Sequence, residues 1–241
     1  FHARHYHPSN AFFYTYGQLP LKDHLGFIND KVLKHFERID PKTDVPSQSR
    51  WRLPKIATYS YPLDKNEDPS NKCQVCVAWL VADIRNSYEV LSLTLLGQVL
   101  LGNPASPLRK ALIDSKLGTG LCDGSGYDAE NRDTMFVCGL KDVEASAASK
   151  VEAIVFDVLE TLVKQGIDHE LIDAAIHQLE FHRKEITNTP YPYGIKLLLV
   201  IAGCWFHGGD PAKILQFDED LIKLRNEVSK ALSTLLESLP E

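Results

Sequence analysis

The segment QVCVAWLV, residues 74–81, is a nearly unbroken apolar run with the length of a β-strand. Such a run is typical of a strand that is covered on both faces or lies at the centre of a sheet. We therefore expect the fold to be built around this strand, and the segments on either side are assigned relative to it.

Apolar residues at helical spacing predict that much of the remaining chain is helical. Two of these helices follow each other directly, because Gly166 ends one and Asp168 caps the next. The predicted helices are about residues 20–39, 88–101, Ser106-Pro107 to Gly118, 151–163, 170–185, 194–206 after a Pro-rich corner at Thr189–Pro192, a capped segment from Asp210-Pro211, and 218 to a stop at Pro240-Glu241.

Further strands are predicted at residues 11–16 and 55–61, and on both sides of a polar turn at residues 128–133. Two pairs of consecutive helices have no strand between them, which argues against a doubly wound parallel sheet. The sequence therefore predicts an α+β domain in which helices pack on one face of a mostly antiparallel mixed sheet.

The composition is ordinary for a globular protein, with 44% hydrophobic and 24% charged residues among 241. A net charge of −6 with scattered acidic residues offers no basic surface for nucleic acid. No apolar run reaches the roughly 18 residues that a membrane span needs. We therefore expect neither nucleic acid nor a membrane as a partner. The odd number of cysteines, five, predicts free thiols in a reducing compartment.

The segment His177-Gln-Leu-Glu180-Phe-His182 differs by one residue from the HxxEH zinc motif. Because helical residues advance by about 100° each, histidines five apart diverge by about 140° and cannot both reach one ion. We expect a polar helix face here, with no metal ligand and no catalytic residue. The alternative is an independent metallohydrolase that uses His177, Glu180 and His182 and binds one zinc.

Two other clusters have the spacing of metal or redox sites. His2, His5 and His7 precede a predicted turn without a nearby carboxylate or thiol, so a chance cluster is favoured over a metal site. Cys73 and Cys76 have CxxC spacing but lie in the predicted strand rather than at a helix N-terminus. We expect this pair to pack in the core, on opposite faces of the strand.

Glycines are enriched at Gly118, Gly120, Gly124 and Gly126, before the second half of the predicted hairpin. They match no phosphate-binding motif. Because glycine lets another backbone approach a strand closely, an extended peptide could pair with this segment. A bulged or twisted hairpin is the alternative, and the sequence favours it somewhat.

Two segments, Tyr6-His-Pro-Ser-Asn10 and Phe13-Tyr-Thr-Tyr-Gly17, are the most specific of several that resemble one protein family. The family is the presequence-protease branch of the pitrilysin/insulinase-type zinc metalloproteases. The matching segments follow the family's order over about residues 1–215. The others are Phe1-His2, Ala105-Ser-Pro-Leu-Arg-Lys110 with Ala111-Leu112, Leu117-Gly118, Cys204-Trp205 and Gly209-Asp210-Pro211.

The resemblance implies a parent chain of four related LuxS/pitrilysin-like α+β modules that enclose unfolded peptides, with zinc bound in the first module. Residues 1–217 resemble the second, non-catalytic module, and residues 218–241 resemble the start of the helical linker. In relatives of the insulin-degrading type, the second module pairs with the amino-terminal end of a substrate. The matching segments here are about residues 121–126 and 133–138. The substrate-binding residues that this implies are Leu121, Gly124, Gly126, Thr134 and Phe136.

We therefore expect a non-catalytic domain of a zinc metallopeptidase, inactive alone, that forms part of a chamber wall and offers a peptide-binding exosite. The expected partners are unfolded peptides and the catalytic and C-terminal modules of the same parent chain. The resemblance implies an intracellular location, in the mitochondrial matrix, a plastid or the bacterial cytoplasm. The alternative is a stand-alone peptide- or protein-binding module without a protease partner.

Overall fold

The strand predicted from the apolar run at residues 74–81 is part of an antiparallel sheet. The computed structural model describes residues 1–187 and 190–237 and confirms this strand as β1. The strand order is β1-β4-β2, and β3 also pairs with β4. The described strands are β1 (Cys73–Asp83), β2 (Gly120–Leu121), β3 (Gly126–Asp128) and β4 (Asp133–Val143).

Helices account for most of the remaining regular structure. The helices expected after β1 are present. None of the described helices is both long and apolar enough to cross a lipid bilayer. The described α-helices are α1 (His2–His5), α2 (Leu21–Lys31), α3 (Ser87–Leu101), α4 (Pro107–Asp114), α5 (Ala148–Gln165), α6 (His169–Lys184), α7 (Tyr193–Phe206), α8 (Pro211–Leu215) and α9 (Phe217–Glu237).

Local capping explains several of these boundaries. The Asp168 carboxylate accepts a hydrogen bond from the Glu170 amide at 3.0 Å and starts α6. Asp210 caps α8 in the same way, through the Ala212 amide at 2.9 Å. Gly166 ends α5 with a φ of 80°, a conformation that favours glycine. All three signals were readable in the sequence because caps depend on neighbouring residues alone.

One face of the sheet carries the main hydrophobic core. Val75, Val77 and Trp79 of β1 point to this side, where α3, α4 and α5 pack. Burial of such apolar side chains is the main stabilising contribution to the fold. The arrangement confirms an α+β fold with helices packed on one face of an antiparallel sheet. The buried members are Leu100, Leu101, Leu108, Leu112, Phe136, Cys138, Leu140, Val143, Ala147, Val151 and Val155.

β1 lies at an edge of the described sheet, and its second face is open. Cys76 and Ala78 are exposed on that face, and β4 is the strand that pairs on both sides. The prediction that residues 74–81 are central or covered on both faces is therefore wrong, as is the prediction that Cys76 packs in the core. An apolar run shows that a strand has side chains suited to burial. Whether both faces are buried depends on elements from elsewhere in the chain.

A second core cluster joins α3, α6 and α9. Its buried residues include Leu91 and Leu95 of α3, Ile176 of α6, and Leu221 and Leu224 of α9. The first turns of α9 therefore pack as part of the domain, and the boundary between residues 217 and 218 stays a prediction. The predicted stop at Pro240-Glu241 and Thr189 of the predicted corner lie outside the described residues.

The chain divides into two compact units. One comprises Phe1–Pro46 with Ile186–Ala202, and the other comprises Ser47–Glu185 with Gly203–Glu241. The first unit is held by polar contacts such as the hydrogen bond from the Tyr14 hydroxyl to the Gly194 carbonyl, at 2.8 Å. Neither α1 nor α2 buries a residue.

Some predicted elements are absent or shorter. The predicted strands at residues 11–16 and 55–61 have no regular secondary structure, and the predicted helix 20–39 ends at Lys31. The predicted helix that opens at Ser106-Pro107 stops at Asp114, before Gly118. The strand predictions are wrong because aromatic and β-branched residues favour a strand only where a partner strand pairs with them.

Candidate functional site

The five residues implied to bind substrate lie in one region of the sheet, around the turn between β2 and β3. Leu121 ends β2, Gly126 begins β3, and Gly124 lies in the turn between them. Thr134 and Phe136 lie in β4, which pairs with both of these strands. The structure thus brings the two predicted segments, 121–126 and 133–138, side by side.

The two β4 residues are buried and support the sheet. The Thr134 hydroxyl donates to the Ala82 carbonyl and accepts from the Ala82 amide, both at 3.0 Å, and it lies 3.0 Å from the Tyr127 hydroxyl. Phe136 is part of the main core. Because β4 already pairs on both sides, an extended peptide can pair in this region only along the outer edge of β2 and β3.

That outer edge is open around two glycines. Gly124 and Gly126 have φ values of 78° and 131°, and a Cβ atom added at either would meet nothing within 4 Å. The turn is held by hydrogen bonds from the Ser125 amide and hydroxyl to the Cys122 carbonyl, at 3.1 and 2.6 Å. The backbone here is therefore both fixed and accessible.

Helix α3 supports β3 from the core side. A Cβ atom added at Gly97 of α3 would lie 3.0 Å from the Tyr127 Cβ, so the helix and the strand approach each other closely. Burial raises the pKa of the Tyr127 hydroxyl. The role of Gly97 has no signal in the sequence, because its partner lies in a strand that only the fold brings near.

Two polar side chains, those of Gln74 and Asp123, pair across the open face of the sheet beside this edge. The Gln74 side-chain amide donates to the Asp123 carboxylate at 2.9 Å, and the Asp123 backbone amide donates to the Gln74 side-chain oxygen at 3.1 Å. Lys141 lies 3.6 Å from the same carboxylate. Gln74 and Asp123 are 49 positions apart, so their pairing could not be read from spacing.

A buried carboxylate anchors the segment that leads towards β1. Asp133 is 7% exposed and pairs with the Arg50 guanidinium at 2.7 Å. It also accepts hydrogen bonds from the Gln48 amide at 2.6 Å and the Ser47 hydroxyl at 2.9 Å. Burial acts to raise its pKa, but the Gln48, Arg50 and Ser47 donors outweigh it, so the pKa of Asp133 lies below its usual value.

The segment His177–His182, which resembles the HxxEH zinc motif, lies on α6 and makes structural contacts. His177 and His182 are exposed, as the helix geometry predicts. Glu180 accepts hydrogen bonds from Lys184 at 3.0 Å and Arg225 at 2.8 Å, and these cations lower its pKa. Within the described residues, no group of three or more His, Cys, Asp or Glu side chains could hold a metal ion. The carboxylate that a metallohydrolase would need as base is thus engaged by two cations.

The amino-terminal histidines make local contacts. His2 stacks on Tyr6, with ring centroids 4.5 Å apart, and His5 lies 4.4 Å from the Phe1 ring. His7 accepts a hydrogen bond at Nδ1 from the Ser9 amide at 3.1 Å. Each of the three histidine rings therefore contacts a neighbour within the first unit.

Comparison with known proteins identifies the family of the chain. Residues 1–179 match the family model described as the peptidase M16 inactive domain. The chain belongs to this family. The resemblance to the presequence-protease branch of the pitrilysin-type zinc metalloproteases is thereby confirmed, and the chain is a non-catalytic peptidase domain.

Curated relatives of this domain come from mitochondria, chloroplasts and bacteria. The chain is 39% identical over 226 residues to the mitochondrial presequence protease of Xenopus laevis, covering 93% of this chain and 22% of that protein. It is 32% identical over 251 residues to presequence protease 1, chloroplastic/mitochondrial, of Arabidopsis thaliana, covering 99% and 23%. It is 29% identical over 229 residues to protein HypA of Clostridium perfringens, covering 95% and 23%. The chain thus spans less than a quarter of the length of these relatives.

Proposed function

We propose that this domain forms part of the wall of a peptide-degrading chamber and holds extended peptides along the outer edge of β2 and β3. The observation that supports this most directly is the open, fixed backbone at Gly124 and Gly126. An added strand gains main-chain hydrogen bonds whatever its side chains, which suits a protease that acts on unfolded peptides of many sequences.

In this proposal the five implied residues have two kinds of role. Leu121, Gly124 and Gly126 lie along the edge that the peptide contacts. Thr134 and Phe136 hold that edge in place from β4, through the hydrogen bonds to Ala82 and through the main core. The peptide adds a strand beside β2 and β3, which pair with β4 on their other side.

In this proposal, peptide cleavage takes place elsewhere in the parent protein. We propose that zinc is bound by the first module of the same chain, where metal-activated water cleaves the peptide, and that the catalytic and C-terminal modules are this domain's partners. By this proposal the domain alone has no peptidase activity. The proposed location is a mitochondrion, a plastid or a bacterial cell, as in the relatives.

A matched pair of glycine substitutions tests the peptide edge. Gly124 and Gly208 have the same φ of 78° and open space around them, and asparagine tolerates this conformation better than other residues with a side chain. Gly124→Asn places a side chain at the edge and should weaken binding of a fluorescently labelled unfolded peptide at least fivefold. Gly208→Asn should leave the affinity unchanged. Fluorescence anisotropy measures both affinities.

Hydrogen exchange provides the second readout. A bound peptide should slow exchange of backbone amides in residues 120–128 while leaving α6 unchanged. Equal affinities of the Gly124→Asn and Gly208→Asn variants, together with no protection at residues 120–128, would contradict the proposed edge.

A further inference from the structure

The outer edge of β1 is unpaired, and one exposed segment of the chain is attached beside it. β1 is the terminal strand of the described sheet, so its second edge has no partner strand. The segment of residues 50–61, here called the strap, precedes β1 in the chain and is exposed throughout. Among the described residues, no backbone hydrogen bond joins the strap to β1. The strap is therefore open in this structure.

Two side chains attach the ends of the strap to the two ends of β1. The Arg50 guanidinium donates to the Val81 carbonyl at 3.0 Å and is itself held by the Asp133 carboxylate at 2.7 Å. The Tyr61 hydroxyl donates to the carbonyl of Lys72, the residue just before β1. The strap thus runs antiparallel to β1, from the end of that strand back to its beginning.

Both attachments imply nearly the same antiparallel register. In a pairing that starts from the first attachment, the second would fall at Tyr59, two positions from the observed Tyr61. A bend at residues 52–53 takes up the two extra residues. Counted from either attachment, one of residues 55–57 lies opposite Cys76 of β1.

The connection between the strap and β1 already turns back on itself. The Glu67 amide donates to the Asp64 carbonyl at 3.0 Å, and the Glu67 carboxylate pairs with Lys72 at 2.8 Å. The Asp68 carboxylate accepts from the Ser70 amide at 3.0 Å and caps a short 3₁₀ turn. Segments that follow each other in the chain are the ones that most often pair in a sheet.

β1 offers the strap a row of backbone groups that point away from the sheet. The Gly139 carbonyl of β4 accepts from the Cys122 amide, so the backbone groups of Gly139 face β2. Because these groups alternate in direction along a strand, the neighbouring residues of β4 face β1 instead. In the observed register the amides of Cys76, Ala78 and Leu80 therefore point outward.

We propose that the strap closes onto the outer edge of β1 as an additional antiparallel strand, with residues 55–61 as the part that pairs. The lack of regular structure at these residues describes the open state. In the closed state the outward amides of β1 donate to strap carbonyls, and this edge is covered against an unfolded peptide or a second copy of the chain. The outer edge of β2 and β3 is then the one left open in the described sheet.

Residue-resolved hydrogen exchange of the full chain, followed by NMR, tests the closure. In wild type the three outward amides of β1 should exchange about tenfold or more slowly than in the double variant Ile56→Pro/Ala57→Pro, because proline cannot take part fully in a strand ladder. Ile56→Ala is the matched control and should exchange as wild type does. The strap is exposed throughout, so neither variant removes core packing. Equal exchange in wild type and the proline variant would overturn the proposal.

Disulfide trapping measures the register independently. Lys55→Cys, Ile56→Cys and Ala57→Cys place a thiol at the three positions that can lie opposite the exposed Cys76, and directly opposite residues of paired strands are within disulfide reach. With diamide as oxidant, one variant should crosslink to Cys76 much faster than the variant next to it, because adjacent residues of a strand point to opposite faces. Adding Cys76→Ser should abolish that product in peptide mass spectra. Equal trapping at all three positions, or trapping at none, would overturn the proposal.

Discussion

At the scale of single residues, Asp133 shows how a buried charge is stabilised by the groups around it. The carboxylate is 7% exposed, yet its pKa is lowered because three donors from residues 47–50 satisfy it. A carboxyl group whose pKa is lower in the folded than in the unfolded state stabilises the fold above its unfolded pKa of about 3.9. That stabilisation is lost as the pH falls through the folded pKa.

Asp133→Asn should therefore lower the free energy of unfolding by about 1.5–3 kcal/mol at pH 7, the range for hydrogen bonds to a charged group. The difference between wild type and variant should shrink as the pH falls below about 4, because the wild-type carboxyl becomes protonated first in the unfolded state and then, at lower pH, in the folded state. Urea unfolding at pH 7 and pH 3 measures both values. Asp173→Asn, at an exposed position on α6, is the control and should have little effect. An equal difference at both pH values would show that the charge of Asp133 does not stabilise the fold.

At the scale of elements, helix α4 shows how an amphipathic pattern attaches a short helix to the sheet. Leu108 and Leu112 are fully buried, while Ile113 on the same helix is 40% exposed. Ser106 precedes the helix at the N-cap position, but its hydroxyl accepts from the Asn103 amide at 3.1 Å instead of capping the helix. Packing of the two leucines therefore contributes more to this helix than its cap does.

Leu112→Ala should lower the free energy of unfolding by about 2–5 kcal/mol, because it leaves a cavity in the main core. Ile113→Ala removes a side chain of similar size one position along and should cost less than about 1 kcal/mol. Chemical denaturation of the two variants gives the comparison. Similar losses for both would contradict the orientation of α4.

At the scale of the whole molecule, the domain exposes many large apolar side chains. Phe1, Ile56, Tyr59 and Val163 are 86–92% exposed. Isolated apolar residues on a surface are normal, but this number of them indicates surfaces that meet other protein. In the proposed parent those neighbours are the other modules.

The isolated chain should therefore associate weakly with itself. Its weight-average mass in sedimentation equilibrium should rise above 27.1 kDa with increasing concentration. Added salt should not reverse the effect, because association through apolar surface does not depend on charge pairing. A strictly monomeric chain at high concentration would contradict this prediction.

Local signals in the sequence predicted much of the fold and part of the candidate site. The apolar run at residues 74–81, the glycine stop at Gly166 and the cap at Asp168 all act through residues that are neighbours in the chain. The five implied substrate residues do lie together, and the open turn at Gly124 and Gly126 was marked by its glycines. The strands predicted at residues 11–16 and 55–61 failed because strand formation needs a partner that propensity does not specify.

The sequence by itself determined that the segments after β1 include several helices, where α5 ends, where α6 and α8 begin, and which family the chain resembles, because these depend on local patterns and on motifs that can be compared directly. Only the tertiary structure decided which strand is central, which sheet face is open, and which distant side chains meet, such as Gln74 with Asp123. Those outcomes depend on pairing between segments tens of residues apart, and such pairing is selected by the packing of the whole domain.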